Sequence, residues 1–243
     1  MNVIRYKLKT KLNSGYLIAL LTDLHGHIEN SLLDSLKQER PDIIAIAGDL
    51  VDSSLMKNND AIELLRTCTE IAFTVLSLGN HDYLINNNDL MLMKNMGVHV
   101  LDDSWENFNS EVIIGGLTSS FYHKCKHYDP KIPMELFPEI QWLNEFEKQS
   151  EFKILLDHHP ENYDRYTKAR DIDLILSGHN HGGQIRLFGK GVYARNQGLF
   201  PKYDGGIYDD RLVVSRGLAN TLLVPRLWNP TELVYVELAP KDT

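Results

Sequence analysis

The 243-residue sequence predicts an α/β domain built on two sheets, and three observations predict it. Through the first half, short apolar runs alternate with segments of helical spacing, the pattern of parallel strands joined by crossover helices. The second half is richer in strand-like runs broken by Gly and Pro, which implies a second, mixed sheet. Polar metal-ligand side chains stand just beyond the carboxyl ends of these runs, where open α/β sheets gather their ligands.

Taken in chain order, Asn2 to Lys9 alternates as a strand, and Tyr16 to Leu21 is a continuous apolar strand that delivers Asp23 and His25 at its end. Ser31 to Glu39 has helical spacing and is stopped by Pro41. Ile43 to Ala47 reads as a buried strand ending at Gly48-Asp49, Ala61 to Thr69 as a helix, and Ala72 to Leu78 as a strand ending at Gly79-Asn80. Leu90 to Asn95 is helical, and Val98 to Leu101 and Val112 to Leu117 are strands. Past the polar and aromatic stretch Ser119 to Pro138, a helix is expected around Ile140 to Gln149, then strands at Lys153 to Leu156 and Leu174 to Leu176. From Gly189 onward, Tyr208, Leu212 to Val214 and Leu233 to Leu238 read as further strands joined by Gly and Pro turns. No repeat, low-complexity segment or linker divides residues 1–243, so a single domain is expected.

Composition limits the function. With 33 acidic against 25 basic residues the formal charge is −8, which argues against nucleic acid as a primary partner. Bound divalent cations would reverse that field locally, so an anionic substrate is not excluded. Cys68 and Cys125 are the only cysteines, too few for a disulfide framework and compatible with a reducing compartment. Lys7, Lys9 and Lys11 interrupt the opening segment, which lacks the layout of a signal peptide. No stretch approaches the ~20 apolar residues that span a bilayer. These features predict a soluble, cytoplasmic protein.

Five motifs carry the chemistry: Asp23-Leu24-His25, Gly48-Asp49-Leu50-Val51-Asp52, Gly79-Asn80-His81-Asp82, His158-His159-Pro160 and Gly178-His179-Asn180-His181. Residues two apart on an extended strand point to one side, so Asp23 with His25, and His179 with His181, can each grip one ion. Gly48 and Gly79 precede donors at strand ends, where close backbone approach leaves no room for a Cβ. Asp49 can bridge two cations through its two oxygens, and Asn80 offers a neutral carbonyl oxygen. Two anionic ligands leave a pair of divalent ions with a net charge of roughly +2, which suits a phosphate oxyanion.

In this order the motifs resemble the signature of the calcineurin-like metallophosphoesterase superfamily: Asp-x-His, Gly-Asp-x-x-Asp, Gly-Asn-His-Asp, a separate His, and Gly-His-x-His. The stretches from Gly178 to Ile185 and from Asn196 to Tyr203 are similar to a bacterial branch that includes phosphodiesterases of the YkuE and YaeI type. Members of that branch often carry an export signal or membrane anchor before the first motif. The resemblance implies the metallo-dependent phosphatase fold, a four-layer α-β-β-α sandwich with two central mixed β-sheets. It implies one metal held by Asp23, His25 and His181, a second held by Asn80, His158 and His179, and Asp49 bridging both. His158 is preferred to His159 because the family places its ligand two residues before the proline. The cofactor implied is a pair of divalent transition-metal ions, manganese first, with Fe, Zn, Co or Ni also suited to mixed oxygen and nitrogen donors.

The implied activity is hydrolysis of a small-molecule phosphoester by a metal-bridging hydroxide. The branch resemblance favours a phosphodiesterase over a phosphomonoesterase. His81 would protonate the leaving oxygen or bind phosphate, oriented by Asp82 or, failing that, Asp52. The competing class is a non-catalytic scaffold or binding module that retains the fold, which eroded ligands would mark. Arg186, Arg195, Lys202 and Arg216 are candidates to meet substrate phosphate, with Arg195 and Lys202 placed first. Phe121, Tyr122, Phe200 and Tyr203 are candidates to wall a pocket or simply to pack. His159 reads as substrate-facing or packed. The run His123-Lys124-Cys125-Lys126-His127 reads as a solvated loop or edge strand rather than another metal site.

Overall fold

The computed structural model describes residues 1–126, 139–194, 196–220 and 225–241. Along the first half run β1 (Asn2–Lys9), β2 (Tyr16–Leu21), α1 (Asn30–Glu39), β3 (Ile43–Ala47), α2 (Asn59–Ile71), β4 (Phe73–Ser77), α3 (Asn87–Asn95) and β5 (His99–Leu101). They are followed by β6 (Ser104–Asn107), β7 (Val112–Leu117), α4 (Ser120–Lys126), α5 (Leu143–Phe146), β8 (Phe152–Asp157) and β9 (Leu174–Ser177). Two hairpins come next, β10 (Arg186–Leu187) with β11 (Lys190–Gly191) and β12 (Tyr193–Ala194) with β13 (Gly198–Leu199). Then come β14 (Gly206–Tyr208), β15 (Leu212–Val214) and β16 (Glu232–Ala239).

Two six-stranded sheets result, in the orders β1-β16-β2-β3-β4-β5 and β14-β15-β9-β8-β7-β6. In the first, β2 to β5 are parallel, while β16 runs antiparallel to β2 and parallel to β1. In the second, β15, β9, β8 and β7 are parallel, with antiparallel β14 and β6 at the edges. Both sheets are therefore mixed.

Alternation of side chains along each strand divides the apolar residues among three cores. Ile18 and Leu20 of β2, Ile43 and Ala45 of β3 and Val75 of β4 pack between the sheets against Ile114, Ile154 and Leu174. Their neighbours Ala19, Leu21, Ile44, Ile46 and Leu76 face the other way, onto Leu32 and Leu36 of α1 and Leu64, Leu65 and Cys68 of α2. On the outer face of the second sheet, Ile113, Leu155, Ile175 and Val214 cover Leu143, Phe146 and Tyr163. Three stacked cores make four layers, α-β-β-α. Strands buried on both faces need continuous apolar runs, which is why β2, β3, β8 and β9 are so plain in the sequence.

Three features depart from the sequence reading. The expected helix over Ile140 to Gln149 contracts to α5, because its only fully buried apolar side chains are Leu143 and Phe146, a single turn apart. The strand-rich tail does not stay in the second sheet: β16 returns to the first and inserts between β1 and β2. The segment containing His123 and Cys125 is helical, within α4, rather than a loop or edge strand, and His127 lies outside the described residues. Among the described residues, no helix is long and apolar enough to cross a membrane.

Candidate metal centre

The carboxyl ends of strands from both sheets meet at one place. Asp23 and His25 follow β2, Asp49 follows β3, Asn80 to Asp82 follow β4, His158 follows β8, and His179 and His181 follow β9. The two sheets approach this closely because glycines stand at the junction. A Cβ on Gly48 would fall 2.6 Å from His158 Nδ1, and one on Gly178 would fall 2.0 Å from Thr22 Oγ1 and 2.5 Å from Asp23 Oδ2.

The backbone is bent where it presents its donors. Asp23, His25, Asp49, His179 and His181 have φ of 53°, 48°, 56°, 69° and 45°, all in the left-handed region. Non-glycine residues enter that region rarely and at a cost of order 1–3 kcal/mol each, so strain recurs where side chains must be aimed.

The side chains converge on two groups of donor atoms. Asp23, His25 and His181 form one and Asp49, His158 and His179 the other, with the atoms of each group within 4.8 Å of one another. Asp49 Oδ2 stands between them, 3.1 Å from His158 Nε2 and 3.9 Å from His25 Nε2. His158 Nδ1–H donates to the Ala47 carbonyl at 2.8 Å, and His25 Nδ1 lies 2.8 Å from Asp52 Oδ1. Each ring is thus anchored by one nitrogen and presents the other inward, the usual support of a metal-ligating histidine. His25 Nε2 and Asn80 Oδ1 are buried without a hydrogen-bond partner, and His158 Nε2 faces the Asp49 carboxylate. Leaving buried donor atoms unpaired is costly unless something binds them. A mixed set of carboxylate, amide oxygen and imidazole, without thiolate, fits divalent transition metals.

Electrostatics agree with that fit. Burial alone would raise the Asp49 and Asp23 pKa values, but His158 beside Asp49, and His181 and His158 beside Asp23, hold both carboxyls below their usual range. Conversely, burial would lower His158, yet the Asp49 carboxylate raises it to about 10. Burial, with His159 and His158 nearby, pushes His179 well down and keeps it neutral. Carboxylates and imidazoles that compete here for protons compete equally for cations.

A family profile described as calcineurin-like phosphoesterase matches residues 16–183, spanning every one of these donors. The chain belongs to that family. Uncharacterized metallophosphoesterases of Helicobacter pylori and Aquifex aeolicus are 27% and 28% identical to it, over 96% and 84% of this chain and 62% and 76% of theirs. The chain thus spans about six-tenths of the length of the Helicobacter relative. A dimetal phosphatase structure from Danio rerio aligns over 83% of this chain and 87% of its own, with 13% identity and a TM-score of 0.47.

Beside the calcineurin-like centre, His81 meets Asp52, the second of its two expected partners, rather than Asp82. His81 Nδ1 lies 2.8 Å from Asp52 Oδ1, the same oxygen that meets His25. That hydrogen bond raises the His81 pKa; burial opposes it in Asp52, but the two imidazoles hold the Asp52 carboxyl well below its usual range. Asp82 does not orient His81. Its carboxylate is fully buried and accepts from the backbone N–H groups of Asp49 (2.8 Å), Leu50 (2.9 Å), Val51 (3.3 Å) and Gly79 (2.8 Å). Burial, then the charge of Asp49, raises its pKa to about 6.

Of the basic candidates, Arg195 lies outside the described residues. Lys202 is exposed, with its ammonium 2.6 Å from Asp164 Oδ2. Arg186 donates to the Gly182 and Asp204 carbonyls, and Arg216 pairs with Glu232, so both are occupied within the fold. Tyr122 and Tyr203 are buried in the apolar cores rather than walling a pocket. His159 sits between Ser119 Oγ (2.8 Å) and Glu161 Oε1 (3.3 Å). His123 Nε2–H donates to Asp103 Oδ2 at 2.6 Å, which accounts for its raised pKa.

Sequence reasoning missed Arg226, Glu161 and, as an individual residue, Asn196. Arg226 Nη2 is 2.9 Å from His181 Nδ1 and donates to the Ala219 carbonyl at 2.6 Å, while its Nε and Nη1 are buried without partners. Burial lowers its pKa to about 10. Asn196 Nδ2 is 3.1 Å from His179 Nε2 and 2.5 Å from Glu161 Oε1. Asn196 opens one of the stretches that carried the branch resemblance, so a signal existed for it; nothing local marked Arg226.

Proposed function

We propose that this chain is a dinuclear metal-dependent phosphoesterase that prefers small phosphodiesters to monoesters. The observation that carries the reading is the pair of adjoining donor groups, Asp23–His25–His181 and Asp49–His158–His179, with His25 Nε2 and Asn80 Oδ1 buried and unpartnered. Asp23, His25 and His181 would hold one cation, and Asn80, His158 and His179 the other, with Asp49 serving both. Held there, manganese or another divalent transition ion would polarise the phosphoryl oxygens and make a water acidic enough to attack phosphorus at neutral pH. His81, its proton retained by Asp52, gives that proton to the departing alkoxide oxygen. Arg226, held against His181 and the Ala219 carbonyl, would add positive charge on the His181 side of the centre. The diester preference rests on the likeness of Gly178 to Ile185 and Asn196 to Tyr203 to the phosphodiesterase branch. A cytoplasmic setting is supported by two unpaired cysteines, Cys68 and Cys125.

The test strips the protein with a chelator, restores manganese, and compares bis(4-nitrophenyl) phosphate with 4-nitrophenyl phosphate. Metal-dependent turnover with the diester favoured is expected. The His81→Gln variant should keep both metals by elemental analysis and lose about 10²-fold or more in kcat. Failure to turn over either ester with Mn, Fe, Zn, Co or Ni would overturn the enzymatic reading, and a faster monoester would overturn the preference alone.

A further inference from the structure

Three apolar projections stand on the lip of the centre. Leu187 and Phe188 cap the β10–β11 hairpin, Leu199 and Phe200 lie at the end of β13, and Leu227 and Trp228 sit in the approach to β16. Phe188 is fully exposed, and Leu199, Phe200 and Trp228 remain 70%, 68% and 74% exposed. Backbone hydrogen bonds stitch the projections side by side: Arg186 N–H to the Leu227 carbonyl (3.0 Å), Val192 N–H to Ile185 (2.8 Å) and Phe200 N–H to Val192 (2.9 Å). The same segments carry Asn196 beside His179 and Arg226 beside His181, which fixes them at the mouth of the donor cluster. Isolated exposed apolar side chains are ordinary, but six large ones on three adjoining projections call for a partner.

Charge distinguishes which partner. From Gly178 to Tyr203 the sequence holds Arg186, Lys190, Arg195 and Lys202 and no acidic residue, and from Gly217 to Thr231 it holds Arg226 and none, in a chain of net charge −8. Both segments that carry the projections are thus free of acidic residues. Apolar tips with an aromatic and basic surround suit the boundary between lipid headgroups and acyl chains, which admits separate protruding side chains without a complementary shape. An anionic leaflet adds attraction to the exposed Lys190 and Lys202, the latter beside Asp164, while Arg186 and Arg226 are engaged within the fold. We infer that Leu187, Phe188, Leu199, Phe200, Leu227 and Trp228 form a docking surface for an anionic lipid bilayer, seating the mouth of the centre at headgroup level. This surface goes beyond the proposed activity and does not depend on it.

The experiment is co-sedimentation of the purified chain with vesicles of phosphatidylcholine alone or mixed with phosphatidylglycerol, across a salt series. The wild-type chain should pellet with the mixed vesicles, and added salt should weaken the binding. The double variant Phe188→Ser/Trp228→Ser should lose about tenfold or more in vesicle affinity, with its Tm and near-UV circular dichroism unchanged. The surface is disproved if the wild-type chain stays in solution with both vesicles, or if the variant pellets like the wild type. It is equally disproved if the substitutions alter only self-association in sedimentation equilibrium, since the projections would then join two copies of the chain. Hydrolysis of the soluble diester reads the proposed function separately, so either idea can fall without the other.

Discussion

Asp52 Oδ1 is shared by two imidazoles, His25 and His81, each 2.8 Å away. One carboxylate therefore steadies a candidate ligand and the candidate proton donor together. Asp52→Asn keeps the shape but gives up the charge that retains the His81 proton, so kcat should fall by about 10²-fold while elemental analysis still finds metal. Loss of all metal in that variant would reassign Asp52 to holding His25 alone. Cys68 makes a contrasting case. Burial raises its thiol pKa to about 12, whereas Cys125 is partly exposed on α4. A thiolate reagent at pH 8 should label Cys125 in the native chain and reach Cys68 only after denaturation; rapid native labelling of both would contradict the packing of α2. The sequence offered Asp82 first and Asp52 second as the partner of His81, and only the placing of the loops selects Asp52.

The turns after β3 and β4 are joined through Asp82, whose carboxylate takes four backbone N–H groups from Asp49, Leu50, Val51 and Gly79. These turns carry Asp49 and Asn80, so their spacing sets the spacing of two candidate ligands. Asp82→Ala strands buried donors and should cost roughly 3 kcal/mol, read by denaturant unfolding of the chelator-treated protein. A change below about 0.5 kcal/mol would mean that the turns hold without it. The strands themselves were legible wherever both faces are buried, as in Ile43–Ala47 and Leu174–Ser177. Ser104–Asn107 was not, because an edge strand that is half exposed needs no apolar pattern.

Because donors come from both sheets, a cation bound between them ties the two halves of the sandwich. Ligand that binds the folded chain alone stabilises it by RT ln(1 + [L]/Kd), about 2.7 kcal/mol at a hundredfold excess over Kd. Adding manganese to the stripped protein should therefore raise Tm by roughly 5 to 10 °C. Asp49→Ala, which removes the carboxylate between the two groups, should abolish most of that rise. An unchanged Tm in the parent chain on adding any of the candidate metals would argue that the donors do not enclose a cation.

The sequence by itself determined the alternation of strands and helices, the presence of a second, mixed sheet and the positions of the motifs that supply the candidate donors. Each of these is written in neighbouring residues: apolar runs, turn glycines, and Asp, Asn or His at the strand ends. Tertiary structure alone decided that β16 crosses back beside β2, that Asp52 rather than Asp82 faces His81, and that Arg226 lies against His181. Those relations join residues remote in the chain, and no local periodicity or propensity encodes a contact whose partner is chosen by how two sheets pack.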